Sequence, residues 1–161
     1  GKYPIEATKM MADIAVSTEK NYRGFQSHTS CCDSLRSTFW EEKPSVEDVI
    51  SLHTLDSSQI FEAKYIVTPT ESGNTARRIS RLKPHCWILA FTANPEVVRF
   101  LTLSYGVFPF LIPGELDMLG NIMDFLREKR LVKKKDYVIL TEGTIRKKTG
   151  GTDSIKIIQV V

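Results

Sequence analysis

From Tyr65 onward the sequence alternates short apolar runs with helical segments, and that alternation constrains the fold more than any other feature. YIVTP (65–69) is followed by GNTARRISRLK, WILAFT (87–92) by NPEVVRFLTLS, and GVFPFLI (106–112) by ELDMLGNIMDFLREKRL. DYVILTE (136–142) comes next, and the chain ends on SIKIIQVV. Strand, helix, strand, helix at this spacing predicts a parallel sheet with right-handed crossovers. No helix separates the last two runs, only a loop, so the final strand is expected to be antiparallel at an edge.

Before Tyr65 the pattern is helical. Pro4 suits a first helical turn, and Ile5, Met10, Met11, Ile14, Ala15 and Phe25 supply an apolar face over residues 4–25. Residues 26–44 are polar and read as a loop, with room for a short helix near Leu35–Trp40. Ser45 then caps a helix with Glu47 and Asp48 in its first turn, where negative charge favours the helix dipole. Val49, Leu52, His53 and Ile60 continue its pattern to about Ala63.

Composition narrows the function classes. At 161 residues one domain is expected, and 42% hydrophobic with 25% charged residues is ordinary globular usage. The net charge of +3 is too modest to argue for nucleic acid, since polyanion binders concentrate positive charge on one face. Lys133-Lys134-Lys135 reads as a solvated turn entering a strand. YGVFPFLI, the longest apolar run, is too short for a membrane span and is broken by Pro109. Neither a nucleic-acid nor a membrane partner is expected. GKYPIEATKM has no signal-peptide core and no initiator Met, and reads as the interior of a longer sequence. Cys31, Cys32 and Cys86 form no C-x-x-C pair, which points to a reducing, cytoplasmic setting. Cys31-Cys32 with His28 is a poor metal set, and His53 and His85 complete no ligand or nucleophile pattern, so no metal site is expected.

In an open α/β sheet ligands bind outside the carboxyl ends of the strands, so three segments matter. TPTESGNT (68–75) places Ser72, Gly73, Asn74 and Thr75 at a helix N-terminus, with Arg77 and Arg78 following. Hydroxyls, closely spaced N–H groups and a Cβ-free Gly73 there can cradle a phosphate. Plain capping by Ser72 or Asn74 explains the same residues. FTANPE (91–96) reads as a cap by Thr92 or Asn94 with Pro95 in the first turn. TEGTIRKKTGGTDS (141–154) carries Arg146-Lys147-Lys148 and then Thr149-Gly150-Gly151-Thr152. Folded back over the strand ends, it would set cations and glycine N–H groups opposite the first segment; a solvated loop is the plainer reading.

G-x-G-x-x-G after a strand, the P-loop pattern and a nucleophile elbow are all missing. Carboxylates do not cluster at strand ends as a magnesium site needs. No catalytic residue is expected. The residues alone describe a phosphate-sensing or docking module.

YIVTPTESGNTARRISRLKP, WILAFTANPEVVRFLTLSYGVFPFLI and KKDYVILTEGT…GGTDSIKIIQV together resemble the C-terminal domain of pyruvate kinases, from about residue 3 to residue 161. The combination T-x-S-G-x-[ST]-A, T-x-N-P-x-V, G-V-x-P and G-G-T-x-S-I-x-I carries the resemblance. It implies a three-layer α/β/α domain with a five-stranded, mostly parallel sheet and an antiparallel edge strand. Residues 1–25 would be a linker helix leading from a catalytic barrel, and residues 26–161 the domain itself. In the parent enzyme, phosphate would pass from phosphoenolpyruvate to ADP with magnesium and potassium, all on the barrel. The implied partners are that barrel, a homotetramer, and a sugar phosphate or nucleotide monophosphate effector. The family's phosphate loop falls on Thr70, Glu71, Ser72, Gly73, Asn74 and Thr75. Its effector loop falls on Gly143 through Thr152, including Arg146, Lys147, Gly150 and Gly151. TIRKKTGGTD lacks the Trp of many bisphosphate binders, and residues 26–44 diverge. A free-standing effector module and a structural interface domain with a vestigial site are the competing expectations.

Overall fold

The computed structural model describes residues 1–21, 37, 43–112, 118–143 and 151–161. The chain divides into two units, residues 1–40 and 41–161. In the first, Pro4–Asn21 forms helix α1, with Glu6 in the first turn and Lys20 in the last. Its apolar side chains are exposed: Ile5 is 79% and Met11 72% exposed. Phe25 and the stretch 26–42, with the short helix expected there, lie outside the described residues, Ser37 apart.

In the second unit the order is α2 (Val46–Ile60), β1 (Tyr65–Pro69), α3 (Asn74–Arg81), β2 (Trp87–Thr92), α4 (Pro95–Leu101), β3 (Val107–Leu111), α5 (Met118–Glu128), β4 (Tyr137–Glu142) and β5 (Ser154–Gln159). The sheet order is β3-β2-β1-β4-β5. The first four strands are parallel and β5 runs antiparallel to β4 at the edge, as expected.

The layers follow from chirality. The path steps from β1 to β2 to β3, then returns across the sheet to β4. Crossovers of one hand must take opposite faces when the step reverses. Accordingly Ala76 and Ile79 of α3 and Val97 and Leu101 of α4 pack on Ile66, Ile88, Ala90, Val107 and Ile139. On the other face Ile122, Met123 and Leu126 of α5 pack on Val67, Leu89, Phe91, Val138 and Leu140. Phe91 stacks on Phe110 at 5.1 Å and meets Phe125 edge-on at 5.7 Å. Both faces of β1, β2 and β4 are covered, which is why those strands read as continuous apolar runs.

Helix α2 departs from its expected face. Its buried side is Ser51, Leu52, Thr54, Leu55 and Ser58, while Ile60 is 76% exposed and His53 points outward. Small hydroxyl residues let the helix pack closely, and Ser51 and Ser58 satisfy their hydroxyls on backbone carbonyls of the same helix. Of the residues that apolar periodicity marks, Leu52 is buried and Val49 half-buried, while His53 and Ile60 fall outside the buried face. The helix starts as expected: Ser45 Oγ accepts from the Asp48 N–H at 3.2 Å. At N1 of α4, Pro95 follows Asn94, whose Oδ1 accepts from the Glu96 N–H at 2.9 Å.

Candidate functional site at the sheet's switch point

The chain leaves β1 toward β2 and reaches β4 from the opposite direction, so β1 and β4 flank the point where the winding reverses. In doubly wound sheets that point opens a crevice beyond the strands' carboxyl ends. Two of the three candidate segments reach it: residues 70–75 after β1 and, among the described residues of the loop after β4, Gly143, Gly151 and Thr152.

The first segment is a loop with a defined backbone. Thr70 extends the ladder, its N–H donating to the Phe91 carbonyl at 2.8 Å. Its hydroxyl then accepts from the Gly73 N–H at 2.8 Å. Gly73 takes φ 78° and is itself the N-cap of α3, with no side-chain cap bond. The expected caps are thus absent: Asn74 is the first helical residue, and Ser72 is not the N-cap. A left-handed glycine turns the chain into the helix without a capping side chain. Gly73 is buried, Ser72 and Thr75 are half-buried, and Glu71 and Asn74 are exposed. The first turn of α3 holds no acidic residue, so its positive end is not offset within the helix.

The second segment meets the first at its far end. Thr152 Oγ1 and Thr75 Oγ1 lie 2.6 Å apart, a hydrogen bond across 77 positions of sequence. Gly143 and Gly151 pass so closely that a Cβ on Gly143 would run into the Gly151 carbonyl. Beside them the Glu142 carboxylate is held by Lys156 Nζ at 2.6 Å. Arg146, Lys147 and Gly150 lie outside the described residues. The structure thus brings together Thr70, Gly73, Thr75 and Gly151 among the expected residues. Gly143 and Thr152, the ends of the expected effector loop, lie there too, and no spacing rule announces the Thr75–Thr152 contact. The third segment, at Asn94, is a helix cap, as expected.

The cations after the cradle are engaged elsewhere. Arg78 and Arg81 both reach the Asp48 carboxylate, Arg81 at 3.3 Å. Burial raises the Asp48 pKa, but the Ser45 hydrogen bond and the two guanidiniums outweigh it and hold the carboxyl below its ordinary value. Arg77 lies over the Phe100 ring, 4.6 Å from its centroid. Among the described residues no group of three or more His, Cys, Asp or Glu side chains could hold a metal. Beneath the loop, Thr68 is fully buried and its hydroxyl has no partner among the described residues.

Fold and geometry define a doubly wound α/β domain with hydroxyls, close-packed glycines and a helix N-terminus gathered at its switch point. Residues 48–158 match the profile of the family described as pyruvate kinase, alpha/beta domain, and the chain belongs to that family. A pyruvate kinase of Thermococcus litoralis is 39% identical over 99% of this chain and 33% of its own length. One from Clostridium acetobutylicum is 35% identical over all of this chain and 33% of its own. A crystal structure of a pyruvate kinase from Cryptosporidium parvum superposes with a TM-score of 0.69 at 28% identity, over 83% of this chain and 26% of that one. The chain thus spans a third or less of the length of these relatives.

Proposed function

We propose that this chain is the regulatory and assembly domain of a cytoplasmic pyruvate kinase, and that it holds the phosphate of an allosteric effector at the switch point. The observation that carries the reading is the Thr75–Thr152 hydrogen bond. It sets the far end of the last loop against the helix N-terminus that would receive the anion. Thr70, Ser72, Gly73, Asn74 and Thr75 would supply hydroxyls and N–H groups to one phosphate. Arg146, Lys147, Gly150 and Gly151 would approach from the last loop. Hydrogen bonds to a charged group contribute about 1.5–3 kcal/mol each, so a handful suffices for a sugar monophosphate or nucleotide monophosphate. Transfer of phosphate from phosphoenolpyruvate to ADP, with its magnesium and potassium, belongs to the barrel of the parent chain. Exposed Ile5, Met10, Met11 and Ile14 on α1 give that barrel, or a second copy in a tetramer, an apolar surface to cover.

Calorimetric titration with sugar phosphates, AMP and inorganic phosphate tests the reading. Saturable binding that falls at least tenfold in Ser72→Ala/Thr75→Ala is expected. Binding unchanged in that variant removes the site, and no binding of any phosphate favours a structural interface domain. The chain alone is expected to show no turnover of phosphoenolpyruvate and ADP in a coupled assay.

A further inference from the structure

The net charge of +3 conceals its distribution. Residues 127–135, REKRLVKKK, hold six cations and one carboxylate, so this segment is more positive than the whole chain and the remainder is net negative. The fold decides where that charge sits. Because β1, β2 and β4 are parallel, their N-terminal ends share one rim, at the pole opposite the cradle. Tyr65 pairs with both Trp87 and Val138, so the three strands start level. The loops entering β2, β1 and β4 are therefore neighbours, about 4.8 Å apart from strand to strand. They carry exposed Lys83 and His85, then exposed Lys64, then exposed Lys133, Lys134 and Lys135. The result is a row of cations across three adjacent strand starts.

Local structure does not account for the residues in this row. Lys83, Arg130 and Lys135 take φ of 48°, 55° and 77°, a left-handed backbone that glycine adopts more easily. Two carboxylates share the same rim: Glu62, at φ 47°, and Asp136, which accepts from the Lys133 N–H at 2.8 Å; Glu128 is nearby in sequence. Cations placed at helix C-termini do offset the dipole, which explains Arg130 and Lys83 in part. It does not explain the exposed aromatic rings on the same rim. Trp87, at the start of β2, is 56% exposed, and Tyr105, in the loop entering β3, is 59% exposed. Lys83 Nζ stands 6.0 Å from the Tyr105 ring centroid.

We propose that this N-terminal rim binds single-stranded nucleic acid. The lysine row would follow the phosphates, and Tyr105 and Trp87 would stack bases, the combination that single-strand binders use. An acidic peptide would satisfy the lysines but leave the rings without a role. The expectation of no nucleic-acid partner rests on the modest net charge and on Lys133-Lys134-Lys135 as a solvated turn; the gathering of Lys64 and Lys83 beside that turn comes from the topology.

The test is fluorescence anisotropy of a labelled twelve-nucleotide oligo-dT and oligo-U against the whole chain. If Lys64, Lys83 and Lys133–Lys135 each neutralise one phosphate, log K against log salt has a slope of about −3.5, so binding weakens roughly 100-fold between 50 and 200 mM salt. Lys133→Gln/Lys134→Gln/Lys135→Gln should reduce that slope to about −1.4. Tyr105→Ala should weaken binding about tenfold at both salts with the slope unchanged, and Tyr105→Phe should restore it. The Tyr105 carbonyl keeps its bond from Ser80 Oγ in either variant, and circular dichroism checks the fold. No saturable binding at 50 mM salt overturns the proposal, as does Tyr105→Ala binding like wild type. So does equal competition by a polyglutamate of the same charge. Loss of binding in Ser72→Ala/Thr75→Ala with the rim variants unaffected would place the oligonucleotide at the cradle and overturn it too.

Discussion

Gly73→Ala isolates the step on which the cradle's geometry depends. The residue sits at φ 78°, ψ 0°, where an L side chain costs roughly 1–2 kcal/mol. A Cβ there would also stand 3.0 Å from Leu101 Cδ2 and 3.2 Å from Leu101 Cγ and Val97 Cγ1. Leu101 is fully buried and Val97 nearly so, which leaves little room to give way. Overpacking of this kind costs about 1–3 kcal/mol, and one methyl against flexible side-chain ends belongs at the lower end. The sum is roughly 2–4 kcal/mol. In a chain of this size about 1 kcal/mol moves Tm by about 2–4 °C, so Tm should fall by roughly 5–15 °C. Urea unfolding followed by circular dichroism measures the free energy directly. A cycle with Leu101→Ala separates the two causes: removing the crowding atoms should make the double variant about 1 kcal/mol less destabilised than the sum of the singles. Destabilisation below about 0.5 kcal/mol for Gly73→Ala would refute the reasoning, because surface substitutions alone reach that value.

Asp48→Asn should cost about 1 kcal/mol at pH 7, since the carboxylate is partly exposed and such pairs contribute little each. Its folded pKa is depressed, so the stabilisation is present above the ordinary value of 3.8 and lost as pH falls below it; the gap in Tm between wild type and variant should close there. Burial pushes the Cys86 thiol up to about 11 despite the opposing influence of the Ser58 side chain, so alkylation at pH 8 should be at least tenfold slower in the folded chain than in urea, read by peptide mass mapping. Glu71 is exposed beside the cradle, and its charge opposes a doubly charged phosphate. Wild type should therefore respond weakly to fructose 1,6-bisphosphate, and Glu71→Lys should tighten binding several-fold at low salt and less at high salt; low-micromolar binding by wild type would count against this account.

The sheet was legible because its strands carry their own signal. YIVTP, WILAFT and DYVILTE are apolar on both faces, and the missing helix before SIKIIQVV announced the antiparallel edge. The buried face of α2 was not legible, because it is built on Ser51, Thr54 and Ser58, which no hydrophobic period reports. The cradle's residue types were readable in TPTESGNT, with side-chain capping by Ser72 or Asn74 as the competing reading. Only backbone angles show that Gly73 turns the chain unaided. Nor does local pattern join Thr75 to Thr152, a contact made by strand order.

The two ends of this sheet would hold anions by different physics. At the carboxyl ends of the strands the helices present their N-termini, so a phosphate meets fixed backbone dipoles and neutral hydroxyls. At the amino ends the helices present their C-termini, whose partial negative charge repels an anion. Positive side chains there must first offset that field before they attract anything, which is a use for Lys83 and Arg130 just beyond α3 and α5. Flexible charged groups in water are screened far more than oriented N–H groups at a half-buried turn. Salt should therefore separate the two sites. Between 50 and 200 mM the rim should lose most of its affinity for an oligonucleotide, while monophosphate binding at the cradle should change only a few-fold. Inorganic phosphate that saturates the cradle should leave oligonucleotide binding intact at matched ionic strength. Mutual exclusion at matched ionic strength would mean that one site serves both ligands, and the division of the sheet into two anion-binding ends would fail.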